Sequence, residues 1–188
     1  MSSKIFEDYI SNLKTQLDLI PLEMLRDWTM NFKRAWKENQ QLFICGNGGS
    51  AGNAIHLAND YLYGVSPNIS PAMRVTALTA NSSILTCLGN DVGYENIFSA
   101  QLKTLGQPND ILLVFSGSGN SPNVVKAIHT AQTIGMKSYA VVGFSGGKCM
   151  ELADHSIHIP IHDMQIAEDM QCILGHMLMQ WLKENNPN

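Results

Sequence analysis

The chain has 188 residues, 45% apolar and 15% charged, with a formal net charge of −4. That length fits one domain with a sizeable core, and the acidic balance excludes the basic footprint of a nucleic-acid binder. No apolar run approaches a membrane span, "MSSKIFEDYI" is no signal peptide, and four cysteines without paired spacing read as reduced thiols, so a cytoplasmic protein is expected.

The first 38 residues read as helical. Ile5, Tyr9, Leu13 and Leu17 recur every four residues, Pro21 breaks the pattern, and Leu22, Leu25, Trp28, Phe32 and Trp36 mark a second helix. From there the chain alternates. "QLFIC" (41–45) is a short apolar run, followed by Gly-Asn-Gly-Gly-Ser and a helical stretch to about Tyr63. "RVTALT" (74–79) is β-rich, "NSSILTCLG" follows as a helix, and 94–106 is a helix ending on Gly106. "DILLVFS" (110–116) reads as a buried strand. After it come a helix over 121–135, the strand 138–143, a short helix near 147–153, the strand 156–160 and a last helix over 164–185. Five strands with helices between them imply an α/β fold: a doubly wound, five-stranded parallel sheet covered by helices on both faces. Ligands of such folds sit beyond the carboxyl ends of the strands.

Two glycine-serine loops fall at such ends. "FSGSGNSPNVV" (115–125) leads from a strand into a helix whose first N–H groups lack internal partners and carry partial positive charge. Small residues let the backbone approach an anion, serine hydroxyls add donors, and Pro122 suits the first helical turn. Ser116, Ser118, Asn120 and Ser121 therefore form a candidate phosphate cradle. Between Arg74 and Lys126 the single cationic side chain is Lys103, so neutral donors would carry the binding. The loop matches neither the nucleotide P-loop nor the dinucleotide fingerprint, which leaves a phosphorylated small molecule. "CGNGGSAGNAIH" (45–56) repeats the design, with Asn47, Gly48, Gly49 and Ser50 available for another part of the same ligand. A plain strand-to-helix turn with an Asn or Ser cap is the simpler account of either loop alone.

His56 and Asp60 are four apart, on one helical face. On the last helix Glu168, Asp169, Gln171, Cys172 and His176 form a polar cluster between Met170, Ile173, Leu174 and Met177. Two pairs of histidine and carboxylate serve either a divalent metal, best zinc, or proton transfer. Capped or solvated side chains explain each histidine taken singly, and His129, His155, His158 and His162 read as structural or surface residues. Asp91, in "GND" (89–91), either bonds a sugar hydroxyl or caps the next helix.

"CGNGGSAGNAIH", "LGNDVGYENIF", "PNDILLVFSGSGNSPNVVKAIHTAQTIGMK" and the "GGK" at 146–148 resemble the sugar isomerase (SIS) domain family. Within it the chain is most similar to the phosphoheptose isomerases, which interconvert sedoheptulose 7-phosphate and D-glycero-D-manno-heptose 7-phosphate. The resemblance covers nearly all of residues 1–188 as a single SIS domain, with 1–38 as a helical assembly segment. It implies a homotetramer with a zinc ion in each active site between subunits. It puts the phosphate at Ser116, Gly117, Ser118, Gly119 and Ser121, further ligand contacts at Asn47, Gly48 and Ser50, and a sugar hydroxyl at Asp91. His56, Asp60, Glu168 and His176 are the implied metal ligands, and Asp60 and His176 the catalytic pair.

The chain departs from the family pattern in three places. Asp60 replaces a glutamate, retracting the carboxylate by roughly one C–C bond, about 1.5 Å. Glu168 replaces a glutamine, adding negative charge that favours a divalent metal and opposes an anion. "YGVSP" stands where the family has "GRY", and the segment 60–73 differs in length. The implied chemistry is an aldose–ketose isomerisation. A carboxylate, by position Asp60, takes the proton beside the carbonyl, a cis-enediol forms, and His176 donates or relays the proton to the neighbouring carbon. If Asp60 is a zinc ligand, Glu168 is the alternative base. Non-catalytic relatives bind a protein partner, as the replication-initiator-binding type does, or sense a sugar phosphate; they lack the late histidine, so His56 together with His176 favours an enzyme.

Overall fold

A computed structural model describes residues 3–67 and 71–187; part of the 60–73 segment, residues 68–70, lies outside them. Two helices open the chain, α1 (Lys4–Asp18) and α2 (Leu22–Lys37). Strands β1 (Gln41–Cys45), β2 (Arg74–Ala77), β3 (Ile111–Ser116), β4 (Lys137–Val142) and β5 (His155–His158) form one parallel sheet in the order β2-β1-β3-β4-β5. The connections are α3 (Gly49–Asn59), α4 (Ser82–Asp91), α5 (Ile97–Leu105), α6 (Pro122–Ile134) and α7 (Gly147–Leu152), and α8 (Met164–Glu184) closes the fold. The expected elements are all present, with ends displaced by one or two residues. The helix expected over 94–106 begins as a 3-10 turn, Tyr94–Asn96.

The central strands β1, β3 and β4 are buried on both sides, as in other parallel sheets, while the edge strands β2 and β5 are only partly covered. Alternate residues feed two cores. Leu42, Ile44, Leu113, Phe115, Tyr139 and Val141 face α2, α3 and α8. Phe43, Cys45, Leu112, Val114, Ala140 and Val142 face α5, α6 and α7. Trp28 and Phe32 of α2 pack edge-on against the Tyr139 ring, anchoring the N-terminal helices to the sheet.

The strand order places the functional loops. The chain leaves β1 for one sheet face and β3 for the other, so a crevice opens between these neighbouring strands at their carboxyl ends. Both glycine-serine loops lie there, one after β1 and one after β3.

Candidate functional site

The crevice holds a cavity of about 250 Å³ lined by Asn47, Gly48 and Ser50 from the first loop and by Ser116, Gly117, Ser118 and Ser121 from the second. Met164 and Glu168 of α8 complete it, and no lysine or arginine is among its lining residues. The second loop is self-supporting: the Gly119 N–H donates to Ser116 Oγ at 3.0 Å and the Asn120 N–H to Ser118 Oγ at 3.2 Å. Gly119 has a left-handed φ of 66°, and a Cβ there would lie 1.9 Å from the Gly146 carbonyl oxygen, so no side chain fits. Ser121 takes the N-cap position of α6 with no side-chain capping bond, and Pro122 fills the first turn. Its hydroxyl is therefore not used by its own helix.

Helices α3 and α8 run side by side in the same direction away from this cavity. The Ser50 N–H donates to Glu168 Oε1 (3.2 Å), Asn53 Nδ2 to the Glu168 carbonyl and to Gln171 Oε1 (2.9 and 3.1 Å), and the Tyr61 hydroxyl to the Gly175 carbonyl (2.8 Å). Gly175 permits the close approach: a Cβ there would lie 2.3 Å from a Leu57 methyl. Beyond it the histidines meet, with His56 Nε2 and His176 Nε2 2.8 Å apart. Asp60 Oδ2 lies 3.3 Å from His176 Nε2 and 3.6 Å from His56 Nε2. Asp60 opens a π-helical turn, Asp60–Gly64, in which the Val65 N–H bonds back to the Asp60 carbonyl. Such wide turns occur often at functional sites because they re-aim one side chain. The cluster is open to a ligand, the side chains of His56 and His176 being 50% and 40% exposed while Asp60 is 17% exposed.

Not every expected residue joins these groups. Glu168 lies in the loop cavity at the α3 N-terminus, one side of the histidine pair rather than within it. Asp91 ends α4 and is not the N-cap of the turn that follows; its carboxylate accepts from Asn90 Nδ2 and Cys87 Sγ, which holds it below the usual carboxylate range. It is not among the residues lining the loop cavity. Asn123 and Tyr94 are two further residues at the site that no motif singles out, although "SPNVV" sets Asn123 in the first turn of α6, where a side-chain oxygen can meet a free N–H. The Tyr94 hydroxyl donates to Asn47 Oδ1 at 3.0 Å. A larger groove of about 500 Å³ lies between β2, α4 and α5, but none of its lining residues is ionisable.

The residues at the histidine cluster suit a divalent metal. His56, Cys172 and His176 bring two imidazole nitrogens and a sulfur within 4.8 Å of one another, and the Asp60 carboxylate adds an oxygen. Ligands about 2.0–2.1 Å from a tetrahedral zinc lie roughly 3.3 Å from each other, close to the 3.3 and 3.6 Å separations of Asp60 from the two histidines. Burial pushes the Cys172 thiol up, and Asp60 and Asp169 add to the effect, which favours thiol over thiolate. The Tyr9 hydroxyl donates to Asp169 Oδ2 at 2.5 Å; this bond and burial push the phenol up to about 12, and the pair ties α1 to the site-bearing part of α8.

The SIS domain family model matches residues 6–143, which include both loops, His56 and Asp60. A phosphoheptose isomerase from Akkermansia muciniphila is 40% identical over 144 residues, 77% of this chain and 76% of that protein. One from Aliarcobacter butzleri is 32% identical over 182 residues, 96% of each chain. Among solved structures, a phosphoheptose isomerase from Francisella tularensis superposes with a TM-score of 0.90 at 26% identity, covering 98% of this chain and 100% of the other. The Neisseria gonorrhoeae phosphoheptose isomerase has a TM-score of 0.88 at 27% identity, covering 97% and 98%.

Proposed function

This chain belongs to the SIS domain family and, within it, to the phosphoheptose isomerases, and from that premise we propose that it interconverts sedoheptulose 7-phosphate and D-glycero-D-manno-heptose 7-phosphate. It is an isomerase of sugar phosphates; the seven-carbon substrate is the further step. The observation that carries this step is the distance along α3 and α8 from the loop cavity to the histidine cluster. Ser50 and His56 are six residues apart on α3, about 9 Å at 1.5 Å per residue, and Glu168 and His176 are eight apart on α8, about 12 Å. An extended carbon chain advances roughly 1.25 Å per bond for C–C lengths near 1.5 Å. The C2 atom of an open heptose 7-phosphate thus lies about 9 Å from phosphorus, whereas in a triose phosphate the distance is about 4 Å. A phosphate at the Ser116–Ser121 loop with the reacting carbons at the histidines suits the longer chain.

In this reading Ser116, Gly117, Ser118, Gly119 and Ser121 bind the phosphate through hydroxyl and backbone N–H donors. Asn47, Gly48 and Ser50 orient the sugar. The Asp60 carboxylate takes the proton from the carbon beside the carbonyl, the carbonyl oxygen is protonated, and the cis-enediol results. His176 then delivers a proton to the neighbouring carbon as the enediol's other hydroxyl becomes the new carbonyl, so substrate and product differ only in the position of two hydrogens. His56, Asp60 and His176 would hold a zinc ion, with Cys172 beside them, while Glu168 stays in the loop cavity on the Ser50 N–H. Zinc, when bound, polarises carbonyl and hydroxyl oxygens. The enzyme is proposed to work in the cytoplasm as a homotetramer with sites between subunits.

The test is conversion of sedoheptulose 7-phosphate to the aldose, with metal content measured on the same preparation. The wild type is expected to carry about one zinc per chain and to turn over. Asp60→Asn and His176→Gln should each lose activity by at least about a thousandfold while keeping the wild-type circular dichroism spectrum. Full activity in either variant overturns its assignment, and a metal-free, inactive wild type redirects the reading to a binding or regulatory protein.

A further inference from the structure

The two ligand loops come from opposite faces of the sheet, and a pair of amides joins them. Asn47 Nδ2 donates to Asn123 Oδ1 at 2.9 Å, and Asn123 Nδ2 donates to Asn47 Oδ1 at 2.8 Å. Asn123 is 1% exposed, so water does not replace either bond. The Val124 N–H also donates to Asn123 Oδ1, at 3.0 Å. A backbone N–H is only ever a donor, and this one fixes which end of the Asn123 amide is oxygen. The remaining NH2 then faces Asn47, whose oxygen must answer it. That oxygen accepts a second bond, from the Tyr94 hydroxyl. Asn47 lines the ligand cavity. With its oxygen doubly engaged and one N–H given to Asn123, its second N–H is left for a ligand.

We propose that Asn123 is a positioning residue for the isomerisation: it sets the separation of the two loops and turns Asn47 so that an N–H, and not a carbonyl, serves the substrate's phosphate or hydroxyl oxygen. The proposal rests on the reading that these loops hold a sugar phosphate. In Asn123→Asp the Val124 N–H keeps its acceptor, but a second oxygen opposes Asn47 Oδ1. The Asn47 amide then rotates, and its free N–H leaves the cavity. Asn123→Ala removes the tie without adding charge.

Calorimetric binding of inorganic phosphate, steady-state kinetics with sedoheptulose 7-phosphate and thermal unfolding test this together. Both variants should raise the phosphate Kd and the substrate KM about tenfold or more, as for loss of one hydrogen bond to a charged group, with kcat changed less than about threefold. Asn123→Asp should unfold within a few degrees of the wild type. In an Asn47→Ala background, Asn123→Ala should add no more than about twofold, because its effect passes through Asn47. Wild-type Kd and KM in a folded Asn123→Asp protein overturn the proposal, as does a full additional loss in the double variant. If the wild type binds phosphate but does not convert the heptose, the substrate assignment fails while the phosphate Kd values still decide the role of Asn123.

Discussion

At the residue scale, the carboxylates of the site are distinguished by what they touch. Asp60 lies against both histidines, Asp169 accepts from Tyr9, and Glu168 takes a backbone N–H at the start of α3 inside the loop cavity. Glu168 therefore sets a carboxylate beside the proposed phosphate cradle, with no cationic side chain among the lining residues to offset it. A like charge several ångströms away in a half-solvated pocket costs on the order of 1 kcal/mol. Glu168→Gln keeps the shape and the acceptor oxygen. It should tighten inorganic phosphate about fivefold at neutral pH by calorimetry; weaker binding would show that the carboxylate helps to build the cradle. The same exchange should lower zinc affinity if Glu168 also serves the metal, so the two titrations separate its roles.

At the element scale, the register of α3 on α8 brings the histidines together. Leu57 is fully buried against Gly175, and Asn53 and Tyr61 bond to α8 on either side of that contact. The helix pair can approach this closely only because residue 175 has no side chain. Gly175→Ala should destabilise the metal-free protein by about 1–3 kcal/mol through overpacking, read as a lower midpoint in denaturant. It should also weaken zinc binding, since His176 is the next residue and His56 precedes Leu57. Unchanged metal affinity with reduced stability would mean that the histidine pair tolerates a shifted helix. Much of this was legible beforehand: the strand–loop–helix units, the polar face of α8 and the pairing of His56 with Asp60 follow from spacing alone. The π turn at Asp60 and the role of Gly175 did not, because a wider turn and a missing side chain acquire meaning only against a neighbouring helix.

At the scale of the whole molecule, the N-terminal helices carry more apolar surface than the sheet can cover. Tyr9 and Leu13 of α1 pack inward, while Ile5 and Phe6 are each 71% exposed and Ile10 is 53% exposed. A helix that presents apolar residues on a second face is suited to another subunit. The proposed tetramer predicts that Phe6→Asp with Ile10→Asp shifts the sedimentation coefficient to that of smaller species without loss of the folded sheet. A wild type that sediments as a monomer would remove α1 as an assembly element.

The sequence by itself determined the class of fold, because strand and helix periodicities are local, and it located both glycine-serine loops at strand ends, because a run of small residues between a buried strand and a helix start is itself a local pattern. It also supplied His56, Asp60 and His176 as donors by residue type and spacing, together with Glu168, whereas Cys172 joins the histidines only in the folded chain. Which donors converge was decided only by the tertiary structure. The parallel packing of α3 on α8 separates Glu168 from the histidines and joins His56 to His176, which lie 120 positions apart in the chain. The strand order sets β1 beside β3, and so lets Asn47 meet Asn123. Contacts between distant segments depend on the sum of core packing over the whole domain, and no local pattern of residues encodes that sum.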